Sequence, residues 1–329
     1  MTNELIRIAL IGAGGWGVEH ARVFAARPDV DLCAIVGRDP AKTQARARRF
    51  GARAYVDIAE MLAQEKPDLV SLALPNLDHF APTLQVIEAG FPLIVEKPLV
   101  FDLGEADRLL EAAAQRSLFF AIVFNHRYAR PVQMARQAIA DGRVGEVTFA
   151  LWRFGGDWEP NHPYMTLVES HCHGFDMLEY LCGSVESLFC EMADKTGHGF
   201  RSIALALRFA SGAVGSMVGG YDSSFSYRPT HLLEINGTAG RVLVEDTVQR
   251  FTFQAAGQET RTVWEAGYFN DRDRSFFQSL DAYMDVTLEA FKRGDEPPAP
   301  ARRGRRALQL ALAAVESFKT GQRIQTPVE

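Results

Sequence analysis

Cysteine is scarce. The chain has four in 329 residues (Cys33, Cys172, Cys182, Cys190), and no two stand in a Cys-x-x-Cys pair. That excludes a disulfide framework and a thiolate zinc site, so no metal is expected; it fits reduced thiols in the cytoplasm. Long apolar runs are also missing. None reaches the roughly 18 residues of a membrane span, and the short apolar stretch near the N-terminus, broken by charge, is not that of a secretory leader. Excess positive charge is lacking too: 35 Lys and Arg stand against 41 Asp and Glu, a net charge of -6. Such a chain does not look like a nucleic-acid binder, whose affinity rests on neutralising phosphates. There is no internal repeat and no low-complexity tract. Apolar residues at 47% and charged residues at 23% are globular proportions, and the length is enough for two domains with separate cores.

The first ~125 residues alternate short apolar runs with helical patterns, the rhythm of a parallel sheet covered by helices. Leu5–Ile11, Val30–Val36, Asp68–Leu74, Leu93–Glu96 and Leu118–Phe124 read as strands buried on both faces. Gly17–Ala26, Pro40–Phe50, His79–Ala89 and Gly104–Arg116 read as helices, the second starting at an Asp39 N-cap with Pro40 in its first position. After Asn125 the rhythm changes. A helix over Pro131–Ala140 leads into strands with two-residue alternation, as in Ile203–Phe209, followed by a Ser211-Gly212 turn signal. One helix is expected within this sheet, around Thr166–Leu181, and two more close the chain, Ser275–Arg293 and Arg305–Thr320. The expected division is 1–124 and 125–329.

Three features carry chemistry. Gly12, Gly14 and Gly17 form a G-x-G-x-x-G turn between a strand and a helix. Gly12 permits the tight turn, Gly14 lets backbone approach a pyrophosphate, and Gly17 lets helix pack on strand. The second strand then lacks the acid expected to bind the adenosine ribose: Gly37 holds that place, with Arg38 beside it. A guanidinium without a carboxylate suits a 2′-phosphate, which favours NADP over NAD while leaving both open. Second, Glu96-Lys97-Pro98 ends a strand where open α/β sheets bind ligands, and a desolvated lysine is fitted to proton transfer; a surface-loop lysine is the plain alternative. Third, Glu169, His173 and Asp176 have i, i+4 and i, i+3 spacing. On an α-helix they share one stripe, as a general base flanked by carboxylates would.

Together these residues resemble the Gfo/Idh/MocA oxidoreductases, the family of glucose–fructose oxidoreductase and the inositol dehydrogenases. The resemblance spans nearly the whole chain. It rests on Gly12-Ala-Gly-Gly-Trp-Gly17, Leu74-Pro75-Asn76 with His79, Ala89-Gly90, Glu96-Lys97-Pro98 and Asn125-His-Arg-Tyr128, then Gly142-Arg-Val-Gly145-Glu-Val147, the Glu169…His173…Asp176 helix, and Arg305-Arg-Ala-Leu…Glu316-Ser317…Thr320-Gly321. It implies a Rossmann domain followed by an α/β domain with a large, open, mostly antiparallel sheet. The exposed face of that sheet would make a homodimer or homotetramer. Gly12, Gly14, Gly15, Trp16, Gly17, Gly37, Arg38, Leu74, Pro75, Asn76, His79, Glu96 and Lys97 would hold the cofactor, with Glu96 on the nicotinamide ribose. Lys97 and His173 would be the catalytic pair, with Glu169 at a position usually acidic.

The expected reaction is hydride transfer between NAD(P) and a secondary alcohol or ketone of a sugar, cyclitol or related polyol. Arg127, Tyr128, Arg153, Asp157, Trp158, His162, Tyr164 and His171 lie in polar, aromatic segments of the kind that bind sugars. Arg127, Arg153 and His162, with Glu169 and His173, are the candidate substrate ligands. Two alternatives stay open: a glycosidase that oxidises, eliminates and re-reduces with retained NAD, and a non-catalytic dinucleotide sensor on the same fold.

Overall fold

A computed structural model describes residues 5–159, 161–267 and 275–327. The chain divides into two compact units, Met1–Val123 with Met284–Arg305, and Phe124–Tyr283 with Arg306–Glu329.

The first unit carries a six-stranded sheet. Its elements run β1 (Ile6–Ile11), α1 (Gly15–Ala25), β2 (Val30–Val36), α2 (Pro40–Phe50), β3 (Arg53–Tyr55), α3 (Ile58–Glu65), β4 (Leu69–Leu72), α4 (Phe80–Glu88), β5 (Leu93–Val95), α5 (Leu103–Ala114) and β6 (Phe120–Ile122). All strand pairs are parallel, in the order β3-β2-β1-β4-β5-β6. Burial on both faces explains the unbroken apolar runs: Ile8, Leu10, Leu69, Val70, Leu93 and Ile94 are all fully enclosed. Helix α2 begins as its sequence dictates, with the Asp39 carboxylate accepting from the Lys42 N–H at 3.0 Å and Pro40 at the first position; it stops at Gly51, which takes the left-handed φ of 73°. The edge strand β6 does not stay bare. The Ile122 N–H donates to the Ala299 carbonyl and the Ala301 N–H to the Phe120 carbonyl, each at 2.9 Å, so a segment distant in sequence caps that edge.

The second unit is built on a nine-stranded sheet. Its elements are α6 (Arg130–Ala140), β7 (Val147–Gly155), α7 (Cys172–Cys182), β8 (Val185–Ala193), β9 (Ser202–Phe209), β10 (Val214–Gly220), β11 (His231–Gly237), β12 (Gly240–Glu245), β13 (Arg250–Ala255), β14 (Thr262–Glu265) and β15 (Ile324–Gln325). Helices α8 (Phe277–Arg293) and α9 (Arg302–Thr320) each contribute residues to both units. The order is β14-β13-β12-β11-β7-β10-β9-β8-β15, antiparallel throughout except for the parallel β7–β10 pair. Two-residue alternation holds in β9: Ile203, Leu205, Leu207 and Phe209 are buried while Ala204, Ala206 and Arg208 face out, and the turn at Gly212 joins β9 to β10. One expectation fails locally. The helix anticipated over Thr166–Leu181 is interrupted: Thr166–Ser170 forms a π turn, and the α-helix starts at Cys172. Among the described residues no helix is long and apolar enough to cross a membrane.

Candidate active site

The glycine turn follows β1 at the carboxyl edge of the parallel sheet, next to the point where strand order reverses between β1 and β4. Gly12 has φ 132°, and a Cβ there would meet the Ala73 carbonyl oxygen at 2.1 Å. A Cβ on Gly17 would lie 2.0 Å from the Gly12 carbonyl oxygen, so the helix packs on the turn only because both side chains are absent. Gly14 and Gly15 differ: a Cβ on either would meet no protein atom within 4 Å. They floor a cavity of about 880 Å³ whose wall also includes Gly12, Trp16, Gly37, Arg38, Leu74 and Pro75. The N-terminus of α1 opens here with no acidic residue in its first turn, leaving backbone N–H groups and the positive dipole end for an anion. Size, open glycine floor and helix terminus together fit a dinucleotide.

Position 37 cannot hold the missing acid. A Cβ on Gly37 would meet Thr43 Oγ1 at 2.4 Å and Ala13 Cβ at 2.9 Å. Its neighbour Arg38 is largely exposed at the cavity wall and pairs with Asp78 at 3.1 Å.

The Glu96-Lys97-Pro98 turn follows β5 on the same sheet edge and is held by a buried relay. The fully enclosed His20 contacts Ser71 Oγ through Nδ1 at 2.9 Å and Glu96 Oε1 through Nε2 at 3.0 Å. The other Glu96 oxygen accepts from the Lys97 N–H at 3.1 Å. His79 reaches the Pro98 carbonyl (2.7 Å) and the Leu74 carbonyl (3.0 Å), tying the segment after β4 to the turn after β5. Lys97 is half-buried and Glu96 buried. Asn76, His79, Glu96 and Lys97 thus stand at neighbouring strand ends and do not line the cavity wall, and Gly17 lies behind Gly12. Sequence reasoning passed over His20 and Ser71; a histidine inside the helix of the glycine turn was the available signal.

In the second unit α7 lies close on the sheet. A Cβ on Gly174 would meet Met217 Sδ at 2.7 Å and Trp152 Cδ2 and Cε3 at 2.8 Å, so the residue after His173 is pressed against β7 and β10. The imidazole of His173 is buried and stacks face to face on His126, centroids 3.9 Å apart and planes 7° off parallel; Phe124 stands edge-on at 5.8 Å.

Several expected neighbours have other duties. The stripe argument holds only for His173 and Asp176, both inside α7; the π turn takes Glu169 out of that register. Asp176 and Arg127 form a buried two-point ion pair, with Nε to Oδ2 at 2.6 Å and Nη2 on Oδ1, while the guanidinium lies over the Tyr180 ring. Arg127, expected at the substrate, is therefore a buried brace. Arg153, also expected at the substrate, alternates with Trp152 along β7 and donates to the Pro229 carbonyl. His171 is fully enclosed against Trp152, Nδ1 on the Thr166 carbonyl, and burial drives its pKa down to about 3. His162 is half-buried, with Nδ1 accepting from the Tyr164 N–H at 3.2 Å and its pKa lowered by burial. Tyr164 stacks on Phe200, and Asp157 and Trp158 are exposed.

A parallel sheet of this order with this glycine turn at its switch point defines a dinucleotide-binding fold joined to a second α/β unit. The family model "Oxidoreductase family, NAD-binding Rossmann fold" matches residues 6–124, and "GFO/IDH/MocA C-terminal domain" matches residues 132–243. Together they cover well over half of the chain, which belongs to the Gfo/Idh/MocA oxidoreductase family. D-glucoside 3-dehydrogenase of Escherichia coli K12 is 34% identical over 149 residues, 45% of this chain and 42% of that protein. Myo-inositol 2-dehydrogenase of Thermotoga maritima is 24% identical over 332 residues, 95% of this chain and 96% of that one. Levoglucosan dehydrogenase in complex with NADH and levoglucosan shares the fold at a TM-score of 0.89 and 20% identity, over 99% of this chain and 100% of that one.

Proposed function

We propose that this oxidoreductase is an NAD(P)-dependent dehydrogenase acting on a secondary alcohol of a sugar or cyclitol, or on the matching ketone. The observation that carries this is the open glycine floor at the switch point, with the Glu96-Lys97-Pro98 turn on the same sheet edge. The glucoside and inositol dehydrogenases among its relatives support the substrate class. When bound, the dinucleotide supplies hydride acceptance or donation.

Proton handling falls to the chain. In the oxidative direction the carbinol C–H leaves as hydride and the O–H proton passes to His173. Nδ1 of His173 is fully buried, so we assign the acceptance to Nε2. The Lys97 ammonium donates a hydrogen bond to the same oxygen, stabilising its charge as the carbonyl forms. Glu169 and His162 take substrate hydroxyls. Glu96, fixed by His20, serves the ribose next to the nicotinamide.

For the cofactor we infer NADP in preference to NAD. A side chain at position 37 has no room, and the exposed Arg38 and neighbouring Lys42 on the cavity wall suit a 2′-phosphate. We expect a homodimer or homotetramer through the uncovered sheet face, where Phe149, Leu151, Val214, Val218, Leu232 and Leu243 are at least partly exposed. The four buried cysteines, none in a disulfide, suit the cytoplasm. Formation of reduced nicotinamide, followed by absorbance across a panel of inositols, aldoses and glucosides with NADP and with NAD, tests the reading. Net cofactor reduction supports it. Glycoside cleavage without net reduction selects redox elimination, and silence across the panel with no binding of either dinucleotide overturns the proposal.

A further inference from the structure

The stack of His126 on His173 is unused by the mechanism above. Two imidazoles with centroids 3.9 Å apart and planes 7° from parallel share one buried slot; His126 is 6% exposed and His173 7%. Phe276 stands edge-on to His126 at 5.2 Å, and Phe124 edge-on to His173 at 5.8 Å, so aromatic rings wall the pair. Resting on the reading of His173 as the base, we propose that His126 is its positioning residue: the stacked ring fixes the plane of the catalytic imidazole and prevents both rings from being charged at once.

The physical reason is mutual repulsion. Two imidazolium ions at this separation, out of water, disfavour each other, so the pair takes up its protons in two separated steps. Among the described residues, these groups stand near the pair. His231 on β11 is edge-on to His126 at 6.1 Å, and burial holds it neutral, its pKa down to about 4. Asp176 on α7 is neutralised by Arg127, which follows His126. Cys172 precedes His173, donating its S–H to the Glu169 carbonyl. The stacked second imidazole therefore works to keep the base ready to accept a proton at neutral pH.

The test is the pH profile of kcat/KM for alcohol oxidation. His126→Phe keeps a stacked ring but removes its proton, and a neutral aromatic face favours an imidazolium over it. The acid limb should rise by about one pH unit, with the plateau at high pH largely retained. His126→Ala also removes the plate that fixes the plane, so plateau kcat should fall about tenfold with cofactor affinity unchanged. An unmoved acid limb in His126→Phe overturns the proposal. Should that variant fold poorly, NMR titration of the two rings in the unaltered protein decides: separated steps support the coupling, and superimposed single titrations overturn it. His173→Asn keeps the two claims apart. If it retained turnover and the acid limb, the assignment of the base would fall, whatever His126 does.

Discussion

Replacing Gly174 by alanine should damage catalysis without touching the cofactor. The added methyl would sit 2.7 Å from Met217 Sδ and 2.8 Å from two Trp152 ring carbons, where ordinary contact begins near 3.4 Å. Trp152 and Met217 are both fully buried, so neither can swing into solvent. Helix α7 or the indole must yield by roughly half an ångström or more, and overpacking of this kind costs about 1–3 kcal/mol. His173 is the preceding residue, and a displacement on the order of 1 Å at a reacting group costs up to about a hundredfold in rate. We therefore expect a lower denaturation midpoint, a kcat reduced about tenfold or more, and a dinucleotide Kd within about twofold of the parent, because the cradle is formed by residues of the first unit. Equilibrium unfolding, steady-state kinetics and a fluorescence titration with NADPH measure the three quantities. An unchanged midpoint together with an unchanged kcat would refute the claim that this close approach positions His173.

Gly14→Ala should show the reverse pattern. Its φ of -77° suits alanine and its Cβ would touch no protein atom, so stability should stay within about 0.5 kcal/mol while dinucleotide affinity, read by the same titration, falls. His171 and His231 predict acid sensitivity: burial lowers their folded pKa values to about 3 and about 4, whereas the unfolded chain takes up those protons near 6.5. The unfolded state thus binds more protons below about pH 6.5, and stability should decline from there toward pH 4. His171→Leu should flatten that slope in denaturant midpoints measured against pH. Breaking the relay with His20→Ala leaves the buried Glu96 carboxylate without its imidazole partner and should cost about 3–5 kcal/mol, measured by equilibrium unfolding.

What could be read from the sequence was local. The glycine turn, the Asp39 cap with Pro40 and the β9–β10 hairpin each depend on residues a few positions apart. So did the cue for α3, which was overlooked: Asp57 caps it by accepting from the Glu60 N–H at 2.7 Å, a spacing visible in the chain, but eight residues gave too short a period. Strand β3, three residues long, carries no periodic signal at all. The remaining gaps are non-local. Nothing near Arg127 marks its pairing with Asp176, and nothing near His126 marks its stacking on His173. The capping of β6 by residues 299–301 brings a late segment back to the first unit, a contact only the folded chain reveals. The π turn defeated the helical stripe because the spacing argument assumed 3.6 residues per turn through Glu169.

The most direct measurement is kcat for NADP-linked polyol oxidation by Lys97→Ala, taken beside the dissociation constant of the dinucleotide. If the ammonium stabilises the reacting oxygen, turnover should drop about 10²- to 10⁴-fold while the dissociation constant moves little. A variant that still oxidises the polyol at near the parent rate would contradict the assignment.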